Sequence, residues 1–252
     1  VVHVGKYYWP YRRGIETHMK LLCERLAPHC ALHVLVAHAS FRSTREIIDG
    51  VDVIRMGRLL HAASTSICPR LPGLLRKLRP DIVHIHLPNP WAEWCYLAAG
   101  SPGRLVVSFH SDIIRQQRLL RLHAPVHRRF LKRAARIIVA TPNHVTFSPF
   151  LSAEVAERCV VIPYGIDPTR FAATPQVCAQ ARQLRARLGH PLVLFVGSLV
   201  YYKGLDVLID AVRATPVHVA LVGAGPLAAA LRRHAREAGV AERVHFLGEL
   251  DD

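Results

Sequence analysis

Short apolar runs alternate with amphipathic segments along most of the chain, and that alternation is its strongest structural signal. Runs at 1–5, 31–37, 51–56, 81–86, 105–109, 137–140 and 160–162 are each of strand length. Between the first two, Ile15, Met19, Leu22 and Leu26 recur at the three-to-four-residue spacing of one helix face. Strands separated by helical segments predict βαβ units and hence an α/β fold with a parallel, doubly wound sheet. The texture changes between Pro163 and Pro191, where Pro168 and Pro175 punctuate a loop and an Arg/Ala/Gln-rich helix precedes Gly189. Alternation then restarts, with strands at 192–196, 217–222 and 244–247 and helices at 204–213 and 226–238. The expected organisation is a complete N-terminal Rossmann-like domain over 1–163, an interdomain linker over 164–190, and a partial second Rossmann-like domain over 191–252. Such a half-built sheet would keep an open edge.

The stretch Phe195-Val196-Gly197-Ser198-Leu199-Val200-Tyr201-Tyr202-Lys203-Gly204 runs from a strand through a turn into a helix. It puts Lys203 between a strand's carboxyl end and a helix's amino end. In parallel sheets that is where phosphate binds, because helix N–H groups and the positive end of the macrodipole point there, and Gly204 lets an anion approach the backbone. An ordinary βα loop with a solvated lysine would have the same local pattern.

Charge adds to the picture. With 33 Lys and Arg against 18 Asp and Glu, the formal net charge is +15, so the expected partner is acidic: a nucleotide diphosphate, an anionic membrane or a nucleic acid. Nucleic acid is disfavoured because no binding motif accompanies the charge. No acidic residue occurs from Ile113 to Ala153, while Arg128, Arg129, Lys132 and Arg133 interleave with Phe130 and Leu131. That composition suits an anionic lipid surface, and equally a solvated helix face. The six cysteines form no C-x-x-C pair, and no His/Cys cluster has zinc spacing, so they read as reduced core residues of a cytosolic protein and no metal is expected. No apolar run reaches membrane-span length.

Ligands of open α/β sheets sit beyond the carboxyl ends of the strands, which directs attention to those loops. Gly14 opens the first helix and could approach a diphosphate or a sugar. His86 and Asn89 follow the fourth strand and could line an acceptor pocket. His110 ends the fifth strand, and a histidine there can donate to a sugar hydroxyl or share a proton with a leaving group. Gly223-Ala224-Gly225-Pro226-Leu227-Ala228, with Glu249 some way on, also fits the dinucleotide fingerprint. An NAD-type oxidoreductase and a non-catalytic membrane-binding module therefore stand as alternatives.

Five segments in order carry a resemblance: Arg13-Gly14-Ile15-Glu16, Ser108-Phe109-His110-Ser111-Asp112, Val161-Ile162-Pro163-Tyr164-Gly165-Ile166-Asp167, Phe195-Val196-Gly197-Ser198-Leu199 with Lys203-Gly204, and Leu221-Val222-Gly223-Ala224-Gly225-Pro226-Leu227. Together the chain resembles the retaining glycosyltransferases of the GT-B fold, in the family usually numbered 4. The resemblance implies two facing doubly wound domains, the first binding acceptor and the second binding a nucleotide diphosphate sugar as co-substrate, without a metal. Lys203 would hold the donor diphosphate, Gly14 would approach donor or acceptor, His110 would contact the transferred sugar, and Gly204, Gly223 and Gly225 would lie near the nucleotide. The implied reaction moves a hexose with retention, from GDP-mannose or a UDP-sugar, to a lipid-linked or polysaccharide acceptor at the inner face of the cell membrane. Two positions depart from the pattern: Ser198 and Arg13 stand where the family usually has an arginine and a glycine. The family's paired donor-binding glutamates would fall beyond Asp252, so this stretch is expected to be inactive alone.

Overall fold

The computed structural model describes residues 1–250 apart from Arg115 and Ser152, and the side chain of Arg170 is not described. It divides into two compact units, Val1–Gly165 and Ile166–Asp252.

Unit 1 runs β1 (Val2–Val4), α1 (Gly14–Leu26), β2 (His33–Ala37), β3 (Thr44–Ile48), β4 (Val51–Met56), β5 (Leu60–Ala62), β6 (Thr65–Ile67), α2 (Leu71–Leu78), β7 (Ile82–Leu87), α3 (Pro90–Ala98), β8 (Arg104–Phe109), α4 (Gln117–Arg133), β9 (Arg136–Val139), α5 (Pro142–Phe147), α6 (Ala153–Ala156) and β10 (Cys159–Val161). Eight strands form one sheet in the order β10-β9-β8-β7-β1-β2-β4-β3, parallel except for β3. The antiparallel β3 is an addition to the expected topology. It folds back on β4 through Asp49 and Gly50, both at positive φ (48° and 79°), as a tight hairpin requires. Its mostly exposed, partly charged residues blunt the sheet edge.

Period-2 alternation distributes the side chains. Val2, Val4, Val83, Ile85, Leu87, Leu105, Val107 and Phe109 pack beneath Leu71 and Leu75 of α2, Cys95 and Tyr96 of α3, and Phe130 and Leu131 of α4. Nearer the other edge, Val34, Val36, Val51 and Val53 face Met19 and Cys23 of α1. The residues between the first set, namely His3, His84, His86 and Ser108, therefore share the face on the α1 side.

Unit 2 comprises α7 (Pro175–Leu188), β11 (Leu192–Val196), α8 (Leu205–Arg213), β12 (His218–Val222), α9 (Ala228–Glu237) and β13 (Val244–Gly248), with the parallel strand order β11-β12-β13. The stretch expected as a linker contains α7, whose first turn is capped by the Thr174 hydroxyl accepting from the Val177 N–H at 3.3 Å. Leu205, Ile209 and Val212 of α8 and Leu231 and Ala235 of α9 bury against Val219 and Leu221 of β12. β11 lies at the edge, and Leu194 and Val196 are 60% and 68% exposed although the apolar run reads as a buried strand. Parallel pairing sets Leu194 and Val196 beside Ala220 and Val222, on the face away from the α8 and α9 side chains that pack on Val219 and Leu221.

Candidate functional site

In unit 1, parallel pairing sets His3 beside His84 and His86 beside Ser108. The imidazoles form a hydrogen-bonded file: His3 Nδ1 lies 3.2 Å from His86 Nε2, His86 Nδ1 lies 3.1 Å from His110 Nε2, and His110 Nδ1 lies 2.7 Å from the Tyr164 hydroxyl. His84 Nε2 meets the Ser108 hydroxyl at 2.8 Å. From α1, His18 stands edge-on to His110 with ring centroids 5.5 Å apart and lies 4.7 Å from the Tyr164 ring. The file thus starts in the sheet interior and ends at a half-exposed tyrosine.

Burial keeps these rings neutral. Desolvation, helped by neighbouring positive charge, pushes His3 down to about 3 and His110 down to about 4. It drives His84 and His86 well below the ordinary value as well. A neutral imidazole has one N–H, so only two proton arrangements satisfy every link of the file. Either each ring donates outward and Tyr164 accepts from His110, or each donates inward and His110 accepts from Tyr164. His3 Nε2 is buried without a partner, so the inward arrangement strands an N–H and the outward one strands only a lone pair. Buried donors are left unpaired less often than acceptors, which favours the outward arrangement and makes His110 Nδ1 a donor.

The structure corrects the reading of two acceptor-side residues. His86 is 2% exposed with both ring nitrogens in the file, so it backs His110 and lines no pocket. Asn89 is buried, and its side-chain oxygen caps α3 by accepting from the Ala92 N–H at 3.3 Å. Gly14 is exposed at the start of α1, where the preceding Arg13 provides no side-chain cap. Nearby, burial pushes the Glu16 carboxyl up and the Lys6 ammonium down. His18, Tyr164 and Lys6 were not singled out in the sequence. Tyr164 did stand in one of the quoted segments, and His18 stands one helical turn after Gly14.

In unit 2, β11 ends at Val196, a single turn at Tyr201–Lys203 follows, and Gly204 adopts φ 63° before α8. That left-handed geometry suits glycine, and α8 has no side-chain cap. Lys203 is exposed, with Nζ 5.4 Å from the Tyr202 ring centroid, and Ser198 is exposed in the preceding turn. Gly223 and Gly225 have a packing role: a Cβ on Gly223 would come within 2.1 Å of the Gly197 carbonyl oxygen, and one on Gly225 within 2.4 Å of the Leu199 carbonyl oxygen. The Leu199 N–H donates to the Ala224 carbonyl at 3.0 Å, locking the two turns together. Glycine is required here with or without a nucleotide, which is why the dinucleotide pattern misleads.

Arg128, Arg129, Lys132 and Arg133 are exposed on α4, Lys132 being tied to Glu154 at 2.7 Å. Among the described residues no helix is long and apolar enough to cross a membrane. The same helix holds a group that the sequence reading passed over: His123 and His127 both donate to Glu93 of α3.

Comparison with known proteins agrees with this architecture. The sequence model described as Glycosyltransferase Family 4 matches residues 12–170, and that described as Glycosyl transferases group 1 matches residues 179–252. The chain is 32% identical over 259 aligned positions to the O-antigen chain mannosyltransferase C of Escherichia coli, covering all of this chain and 68% of that protein. It is 39% identical over 207 positions to the D-rhamnosyltransferase WbpZ of Pseudomonas aeruginosa, covering 81% of this chain and 53% of the relative. Anabaena HepE, solved in complex with UDP-glucose, superposes with a TM-score of 0.73 at 18% identity over 99% of this chain and 69% of that one, a likeness of fold.

Proposed function

The chain belongs to the glycosyltransferases of family 4 and group 1, and from that premise we propose that it serves transfer of a hexose, with retention, from a nucleotide diphosphate sugar to a lipid-linked or saccharide acceptor. The observation that carries the donor half is Lys203, exposed beside the uncapped amino end of α8 at the carboxyl end of β11. A departing diphosphate needs positive charge, and the lysine with the helix N–H groups supplies it from fixed positions. GDP-mannose is the first donor to examine, because a similar protein of Mycolicibacterium smegmatis is named a GDP-mannose-dependent mannosyltransferase; UDP-glucose is the second, after the HepE complex. In unit 1, His110 donates from Nδ1 to an oxygen of the transferred sugar, at the place where it now meets Tyr164.

In the full-length protein, Lys203→Ala is expected to weaken binding of the nucleoside diphosphate about 10- to 100-fold, the worth of one charge-assisted hydrogen bond. Calorimetric titration with GDP and UDP reads this, with NAD as a third titrant. Unchanged affinity in the variant would remove Lys203 from the donor site, and binding of NAD alone would return the oxidoreductase reading.

The acceptor half extends to the membrane surface through Arg128, Arg129 and Arg133 on α4. Each exposed cation near an anionic leaflet contributes about 1 kcal/mol. Phosphatidylglycerol vesicles should therefore co-sediment the protein at low salt, phosphatidylcholine vesicles should not, and Arg128→Glu with Arg129→Glu should abolish the difference. Equal partition with both vesicle types would remove the membrane from the proposal.

A further inference from the structure

On the sheet face opposite the histidine file, α3 and α4 enclose a second titratable cluster that plays no part in the reaction proposed above. Glu93 is 0% exposed. Its Oε2 accepts from His123 Nε2 and from His127 Nδ1, both at 2.8 Å, while its Oε1 is buried without a partner. The two histidines stand four residues apart on α4, so they project from one helix face. One nitrogen from each and a carboxylate oxygen all lie within 4.8 Å of one another.

Oε1 of Glu93 is buried with no partner, and a buried polar atom of that kind calls for one. One carboxylate and two imidazoles are a donor set of mononuclear zinc sites, with the two histidines separated by one helical turn. A small cavity borders His127 between Phe109, Ile113, Leu120 and Phe150, and neither Glu93 nor His123 lines it.

We propose that Glu93, His123 and His127 form a site for a divalent transition cation, zinc in the first instance, at the seam between α3 and α4. Each nitrogen needs to move from 2.8 Å to roughly 3.3 Å from Oε2, the edge of a zinc tetrahedron, and the two nitrogens, within 4.8 Å of one another, to the same spacing. Oε1, now unpartnered, can then turn toward the metal. The other compact group, His3, His84 and His86, contains no carboxylate, and two of its rings are committed to the histidine file. The role of the Glu93 site is to fasten α4 to α3, and with them the 111–113 loop that follows His110 and lines the same cavity.

The test uses the intact protein, stripped with chelator and titrated with Zn²⁺ and with Co²⁺ alone. One equivalent should bind with sub-micromolar affinity and raise the melting temperature. His123→Gln, at a side chain already 10% exposed, and His127→Gln should each weaken binding at least tenfold, while His84→Gln should leave it unchanged. X-ray absorption of the zinc-loaded wild type, which needs no variant, should show nitrogen and oxygen ligands with imidazole scattering. Absence of a tight equivalent, affinity equal in wild type and the two variants, loss in His84→Gln, or a sulfur ligand would each overturn the assignment.

Discussion

Lowering the pH from 7 to 5 is expected to cost unit 1 about 2 kcal/mol of folding stability through His3 alone, with His84 and His86 adding to the loss in the same direction. His3, His84 and His86 are held far below the ordinary value of 6.5, first by desolvation and then by neighbouring positive charge. Their neutral forms are favoured in the fold, so the unfolded chain takes up protons that the folded chain refuses. Stability contributed in this way is fully present above pH 6.5 and is lost as the pH falls toward the folded values. His3, with its ordinary value of 6.5 and a folded value of about 3, loses about 2 kcal/mol between pH 7 and pH 5. The charges that act on the group come from the amino terminus, His18, His110 and from within the group itself, all of one sign, so nothing among them offsets the loss. Against the 5–15 kcal/mol typical of a domain, that is a large fraction of the stability. Denaturant titrations across this range should show net proton uptake on unfolding, reduced in His84→Leu. A stability flat between pH 7 and pH 5 would contradict the neutral, buried state of the file.

How far these sites could be read without coordinates depends on how local each one is. The strand–turn–helix at Leu192–Arg213 is a continuous stretch, and the placement of Lys203 and Gly204 between a strand and a helix was legible in its pattern. The alternation in Ile82-Val83-His84-Ile85-His86-Leu87 likewise put both histidines on one face of a strand. Their meeting with His3 was not legible, because it depends on β1 lying beside β7 across some eighty intervening residues. The same limit hid Glu93, His123 and His127. The two histidines are one helical turn apart in the sequence, but the carboxylate comes from another helix, and only the packing of α3 against α4 brings it there. β3 was missed for a different reason: Thr44–Ile48 is an edge strand with charged residues facing water, so it lacks the apolar run by which the other strands were found. The Gly-x-Gly segment was ambiguous in principle. A nucleotide turn and a tight turn-on-turn contact both require glycine, and the 2.1 Å approach at Gly223 shows the second requirement operating.

Removal of the imidazole in His110→Ala should lower turnover of the full-length protein by roughly 100- to 1000-fold, the usual cost of losing one preorganised hydrogen-bond donor. Because desolvation holds His110 down to about 4, it acts as a neutral hydrogen-bond donor at working pH, not as an imidazolium acid. The pH profile of kcat/KM should therefore show no limb from this group above about pH 5. His86 does not touch substrate and is a positioning residue: its Nδ1 faces His110 Nε2 at 3.1 Å, and its own tautomer is set in turn by His3. In the outward arrangement His86 donates to Nε2 of His110, which forces the His110 proton onto Nδ1, where the sugar oxygen would lie. His86→Phe keeps a ring of similar breadth but breaks the relay, so His110 can hold its proton on either nitrogen. Turnover should then fall about tenfold with little change in donor KM, and the nitrogen-15 shifts of His110 should move from a single Nδ1–H tautomer to a mixture. If His110→Ala retains activity within threefold, the histidine is structural. If His86→Phe leaves the His110 tautomer intact, the file does not set the direction in which His110 donates.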